Sequence, residues 1–144
     1  MEAMVLQFGR LRCLIVDDNP GYSDTARRLL EQQGITVVGM VSTSADAVLA
    51  AGDLQPDVIL VDVELGEESG FDLAERLDDE AFPSAVILIS THAEQDLAEV
   101  ISGSPAVGFV SKSELSSDAI RDLLRAGDGT GGKPVAPVSG PRGK

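Results

Sequence analysis

The sequence predicts an α/β domain organised as a doubly wound parallel sheet of five strands, and three observations carry that prediction. Short apolar runs recur at residues 13–16, 35–41, 58–63, 85–89 and 106–110. Each is followed by a segment whose apolar side chains keep the three-to-four-residue spacing of an amphipathic helix. The runs themselves lack the strict alternation of a half-exposed strand, which suits strands covered by helices on both faces. Right-handed crossovers then restrict five βα units to an open sheet with helices on each side, for which 2-1-3-4-5 is a common strand order.

The first run ends at an acidic pair, Asp17-Asp18. Asn19 and Pro20 supply a helix N-cap and a first helical residue with no N–H to lose, and Tyr22, Ala26, Leu29 and Leu30 follow at helical spacing. Gly34 is placed to end this helix, because glycine takes the left-handed backbone of a helix terminus without a Cβ clash. After the second run, Ser44 is the expected cap of a helix carrying Ala47, Val48 and Ala51. The third run leads into Asp62 and a helix marked by Phe71, Ala74 and Leu77. Leu97, Val100 and Ile101 mark the helix after the fourth run; Ile120, Leu123 and Leu124 mark the last, with Gly127 following it. From 127 onward nine of 18 residues are Gly or Pro and the periodicity stops. The expected organisation is an N-terminal extension over 1–10, one domain over 11–126, and a disordered tail or linker over 127–144. That tail is expected to be too short to hold an output domain.

At 144 residues with 43% apolar content, the chain can form one domain with a substantial core. Only 3% of it is aromatic and Trp is missing, which leaves no stacking platform for single-stranded nucleic acid. The formal net charge of −13 divides into −15 over residues 1–126 and +2 beyond, and so opposes a sequence-independent grip on phosphate backbones or anionic membranes. Proteins are the expected partners. Cys13 is the single cysteine, inside the first apolar run, where a buried structural thiol is expected. No apolar run approaches the ~20 residues that span a bilayer, and the first ten residues lack a secretion signal's apolar core, so the expected location is the cytoplasm.

In an open parallel sheet, functional groups gather at the carboxyl ends of the strands beside the point where strand order reverses. Asp17 and Asp18 end the first strand, Asp62 falls at the end of the third, Ser90 ends the fourth and Lys112 follows the fifth. With strands one and three adjacent, the three carboxylates would meet, and their repulsion calls for a cation. Hard oxygen ligands select Mg²⁺ or Mn²⁺, and Mg²⁺ keeps positions open for phosphate oxygens. Such a site suits phosphoryl transfer: Asp62 as nucleophile, Lys112 and the metal balancing charge, Ser90 donating its hydroxyl to a phosphoryl oxygen. Each residue also has an ordinary reading. Asp17-Asp18 before Asn-Pro is turn and capping chemistry, Asp62 a strand terminator, Lys112 a solvated lysine, Ser90 a helix cap. It is their joint placement at four strand ends that favours the site.

With these residues in place, the chain resembles the receiver domain of bacterial two-component response regulators. The matching pieces are LIVDDNP, Asp62 in VILVDVELGEESGFDLA, Ser90 in AVILIST and Lys112 in GFVSKSEL, spread over residues 11 to 126. The resemblance implies a flavodoxin-like (CheY-like) (βα)5 fold. It implies that a histidine kinase or phosphotransfer protein phosphorylates Asp62, and that Asp17, Asp18, Asp62 and the backbone carbonyl of Glu64 hold Mg²⁺. Ser90 would move toward the phosphoryl group and Phe109 would follow. The switched face, formed by the fourth helix, fifth strand and fifth helix, would be read by a downstream protein or a second copy of the chain. Two residues depart from the family's pattern: Gly66 stands where many receivers have Pro, and Ser113 follows Lys112 where Pro is frequent. His92, the only histidine, falls near the mouth of the site; it is either a solvated loop residue or, with Glu64, a tuner of water access and acyl phosphate lifetime.

The sequence therefore reads as a phosphoacceptor switch rather than a turnover enzyme, either standing alone or as the receiver part of a transcriptional regulator. Two competing functions remain: an interaction module of the same fold that no longer uses phosphorylation, and an aspartyl phosphohydrolase. The second would need a cap or deeper pocket, for which a chain of this size leaves little room. A flavodoxin-type cofactor site is excluded by charge, since a phosphate-binding first loop would not read DDNPGYSD.

Overall fold

The apolar runs become five parallel strands in a computed structural model that describes residues 11–92 and 97–128. They are β1 (Arg12–Val16), β2 (Thr36–Val41), β3 (Val58–Asp62), β4 (Ala85–Ser90) and β5 (Gly108–Ser111), hydrogen-bonded in the order β2-β1-β3-β4-β5. The helices are α1 (Pro20–Gln32), α2 (Ser44–Leu54), α3 (Gly70–Asp79), α4 (Ala98–Ser102) and α5 (Ser117–Asp128). The proposed extension, 1–10, and all but the first two residues of the proposed tail, 127–144, lie outside the described residues.

Alternation along the strands divides the interior into two cores. Leu14, Val16, Ile59, Val61 and Leu88 face one side, with Ala47 and Ala51 of α2 and Leu73 and Leu77 of α3. Cys13, Ile15, Leu60, Ile87 and Ile89 face the other, with Ala26 and Leu30 of α1 and Ile120 of α5. Both faces of β3 are thus buried throughout, which is why that run reads as continuous rather than alternating. Cys13 is fully buried in the second core, and desolvation pushes its thiol pKa up to about 12, as suits a structural cysteine.

The helix ends follow local chemistry. Asn19 Oδ1 accepts from Tyr22 N at 3.1 Å, with Pro20 opening α1. At its far end Gly34 takes φ +94°, Gly34 N donates to Glu31 O, and Ile35 N donates to Leu30 O at 2.9 Å, a Schellman closure that returns Ile35 to the core beside Leu30. The N-cap of α2 is Thr43, whose side chain accepts from Asp46 N, and Ser44 is the first helical residue; the threonine hydroxyl does there what was expected of the serine. The start of α5 is tied to the end of α1, since Gln33 Oε1 accepts from Ser117 N at 2.7 Å.

Some boundaries differ from the sequence expectation. β5 starts at Gly108 rather than 106, and Ile35 precedes β2 as part of the helix closure. Val100 is exposed while Leu97 and Ile101 pack on the first core, so two of the three apolar residues marking α4 are partly buried. α5 continues through Gly127 to Asp128, because a single glycine in a last turn is tolerated at modest cost.

Asp62 reaches its place through a close approach at Gly70, the first residue of α3. A Cβ at Gly70 would stand 2.1 Å from the Asp62 carbonyl oxygen and 2.8 Å from Val63 Cα, both backbone atoms that cannot move without shifting the strand end. Gly70→Ala should therefore destabilise the protein by about 3 kcal/mol or more, read as a lowered urea midpoint. A loss within about 0.5 kcal/mol would contradict this packing.

Candidate functional site

Parallel pairing of β1 with β3 places Val16 beside Val61, and the chain leaves both strands at the same edge. Asp17 and Asp62 follow, and both are buried at the sheet edge while Asp18 is exposed. One oxygen from each of Asp17, Asp18 and Asp62 lies within 4.8 Å of the others. From the end of β5, the Lys112 ammonium contacts Asp17 Oδ2 at 2.7 Å and Asp62 Oδ2 at 3.2 Å. Asp17 Oδ2 is fully buried and has the Lys112 ammonium as its partner. Asp17 Oδ1 accepts from Asn19 N at 2.8 Å.

The electrostatics follow from burial and charge. Asp62 has its pKa pushed up to about 6, chiefly by desolvation and further by the Asp17 charge, against the pull of the Glu64 N–H and the Lys112 ammonium. Burial alone would lower the Lys112 pKa, but its hydrogen bonds and attraction to Asp17 and Asp62 outweigh this and raise it, so the lysine stays charged. Three carboxylates and one ammonium leave an unbalanced negative charge. Hard oxygen donors this close fit a divalent cation such as Mg²⁺ or Mn²⁺.

The segment after Asp62 forms a two-residue hairpin in which Glu64 pairs with Ser69 and Leu65 with Glu68. Its turn needs Gly66 at φ +62°, a conformation closed to proline, so the departure from the family's pattern has a local reason. A Cβ on Gly66 would stand 3.5 Å from Asp18 Oδ2, so the turn lies close against the acidic pair. Glu64 N donates to Asp62 Oδ1 at 3.2 Å. Glu68 Oε1 accepts from Ser44 N at 2.8 Å, tying the hairpin to the first turn of α2.

Ser90 is buried at the end of β4, opposite Ser111 of β5. Its Oγ accepts from His92 N at 2.9 Å and lies 3.2 Å from His92 Nδ1. His92 thus meets Ser90, and no contact joins it to Glu64 among the described residues. Phe109, on β5, is buried and lines a cavity of about 390 Å³ with Val110, Ser111, Glu114 and Leu123. Beside it the Leu123 side chain lies close over Gly108, where a Cβ would stand 2.5 Å from Leu123 Cδ2.

A family model described as the response regulator receiver domain matches residues 13–125. The chain belongs to the response regulator receiver domain family. The CheY-like fold expected from the sequence is the fold observed. This receiver is 38% identical over 79 residues to an uncharacterized response regulatory protein of Yersinia pestis, a span covering 54% of this chain and 33% of that protein. It is 25% identical over 119 residues to the DNA-binding transcriptional activator EvgA of Escherichia coli, covering 83% of this chain and 58% of the other. The receiver thus spans a third to three-fifths of the length of these relatives. Among solved structures, the signal receiver domain of the response regulator NarL from Mycobacterium tuberculosis matches with TM-score 0.72 and 26% identity, covering 83% of this chain and 98% of that one. The signal receiver domain of a modulated diguanylate cyclase from Desulfovibrio desulfuricans matches with TM-score 0.67 and 27% identity, covering 81% and 91%. No helix of the described residues is long and apolar enough to cross a membrane.

The residues named from sequence separate into two groups. Asp17, Asp18, Asp62 and Lys112 are brought together; Ser90 and His92 pair at the neighbouring strand end, and Phe109 lies on β5. Sequence reasoning missed Tyr22, which was read only as an apolar helix position. Its ring lies 4.5 Å from the Lys112 ammonium and its hydroxyl donates to the Lys112 carbonyl at 3.1 Å. The available signal was a hydroxyl-bearing aromatic in the first turn of the helix that follows the acidic pair.

The raised Asp62 pKa sets a pH dependence for the metal-free protein. A carboxyl whose pKa rises on folding binds more protons when folded, so its contribution favours folding below its ordinary value of 3.8 and is lost as pH rises through about 6. Relative to Asp62→Asn in EDTA, the wild type should lose stability between pH 4 and 6, by at most about 3 kcal/mol, and the difference should level above pH 7. Urea unfolding across that range measures it. A difference that stays flat, or a wild type that gains stability, would contradict the burial argument.

Proposed function

We propose that this receiver is a phosphoacceptor switch in two-component signalling, in which Asp62 takes a phosphoryl group from a histidine kinase or phosphotransfer protein. The observation that carries the reading is the Lys112 ammonium bridging Asp17 and Asp62 beside Asp18 at one sheet edge. In the transfer, an Asp62 oxygen forms a P–O bond as the P–N bond of a phosphohistidine breaks, and the departing imidazole takes up a proton. Asp17, Asp18 and Asp62, with the Glu64 carbonyl, would hold Mg²⁺ or Mn²⁺, which when bound supplies positive charge to the phosphoryl oxygens. Lys112, already within reach of Asp62, stays charged and offsets negative charge on the transferring group.

Ser90 completes the switch by donating its hydroxyl to a phosphoryl oxygen instead of sharing it with the His92 ring. Phe109, buried on β5, follows and alters the face formed by α4, β5 and α5, read by a downstream protein or a second copy of the chain. The net charge of −15 over residues 1–126 supports protein partners over direct contact with nucleic acid or an anionic membrane. The likeness to a DNA-binding transcriptional activator supports transcriptional control as the output, exercised beyond these residues. Action in the cytoplasm, without multiple turnover of a free substrate, follows from this role.

Incubation with acetyl phosphate or phosphoramidate and Mg²⁺, followed by intact mass, tests the reading. The wild type should gain one phosphoryl group, Asp62→Asn none, and Lys112→Ala should react at least about tenfold more slowly. An unmodified wild type would favour the phosphorylation-independent module, and sustained turnover of a phosphomonoester the phosphohydrolase. His92→Ala removes the ring contact to the Ser90 hydroxyl, leaving the backbone N–H at position 92 in place, and should lengthen the phosphoryl half-life by about threefold or more; an unchanged half-life would remove the His92 ring from the mechanism.

A further inference from the structure

Lys112 is held at both ends by a single side chain from another element. Tyr22 sits in the first turn of α1, its N–H capped by Asn19 Oδ1, which fixes where its ring emerges. From there the ring presents a face to the Lys112 ammonium at 4.5 Å, while the hydroxyl donates to the Lys112 backbone carbonyl at 3.1 Å. The two contacts restrain different freedoms. The hydroxyl fixes the peptide at the start of the 3₁₀ turn Lys112–Glu114, and the ring fixes the ammonium at the end of a flexible four-carbon stem. The same ammonium meets Asp17 and Asp62.

We propose that Tyr22 is a positioning residue for phosphoryl transfer, holding the Lys112 ammonium against Asp62 through its ring and the Lys112 peptide through its hydroxyl. The inference rests on the phosphoacceptor reading of Asp62. An ammonium backed by an aromatic face keeps electrostatic stabilisation while losing conformational freedom, so less ordering remains when the phosphoryl group arrives. An aliphatic residue at this place would fill the same space but offer no negative face to the cation and no donor to the carbonyl. The hydroxyl also answers a departure noted in the sequence: Ser113 follows Lys112 where the family often has a proline, so the restraint on this peptide comes from a side chain across the site. Desolvation, with the charges of Asp17 and Asp62, pushes the Tyr22 pKa up to about 12, so the phenol stays protonated and remains a donor.

The test compares Tyr22→Phe, which keeps the ring face, with Tyr22→Leu, which keeps neither contact, in the Lys112 background and in Lys112→Met. With acetyl phosphate and Mg²⁺, Tyr22→Leu should slow phosphorylation of Asp62 about tenfold and Tyr22→Phe about threefold, while in Lys112→Met the leucine exchange should add less than about twofold. A purely structural role would slow both backgrounds alike, and that result, or unchanged rates in both single variants, would overturn the proposal. A second measurement needs no phosphorylation: urea unfolding without metal of the wild type, Tyr22→Leu, Lys112→Met and their double variant should show coupling between positions 22 and 112. Coupling in a protein that takes up no phosphoryl group would leave the positioning contact standing and overturn the phosphoacceptor reading and Tyr22's part in transfer. Absence of coupling would overturn the proposal even where the wild type is phosphorylated.

Discussion

A single half-buried ammonium makes the acidic edge of this sheet possible. Asp17 and Asp62 come from adjacent parallel strands, and their oxygens, with one from Asp18, gather within 4.8 Å. At an effective dielectric of about 20, two like charges at that separation repel by roughly 3–4 kcal/mol. Lys112, arriving from the far side of β4, meets both buried carboxylates and offsets much of this. The two-sided core then acts as a rigid mount, since β1 and β3 are packed against helices on both faces and cannot spread to relieve the repulsion.

The contacts around the ammonium form a closed circuit. Asp17 accepts the Asn19 amide, Asn19 accepts the Tyr22 amide, Tyr22 holds both ends of Lys112, and Lys112 returns to Asp17. The loop after β1 is therefore simultaneously a helix cap and one wall of the charge cluster. The capping reading and the site reading of Asp17-Asp18-Asn19-Pro20 are the same structure seen from two sides: Asn19 caps, and in doing so aims Tyr22.

The fold was legible because its rules are local and periodic. Apolar runs gave the strands, Asn19-Pro20 and Gly34 gave both ends of α1, and right-handed crossovers gave the doubly wound sheet, whose common strand order is the one observed. The carboxylates and Lys112 were legible because topology alone places strand ends together. What escaped depends on side-chain direction. Tyr22 falls on the apolar face of α1 by spacing, and only the three-dimensional approach of β5 turns its hydroxyl and ring into partners for Lys112. Gly66 read as a departure, and its positive φ shows a hairpin that proline could not form. The exchange of Ser44 for Thr43 is a one-residue error of the kind expected where two adjacent hydroxyls compete for one cap.

The hydrogen bond from Ser117 N to the Gln33 side chain has a mechanical meaning beyond capping. It fastens the first turn of α5 to the end of α1, on the same side of the sheet. A helix clipped at one end can pivot but cannot slide along its own axis without releasing the clip. α5 is thus built as a lever with its fulcrum at Ser117, and displacement grows along the helix with distance from that point.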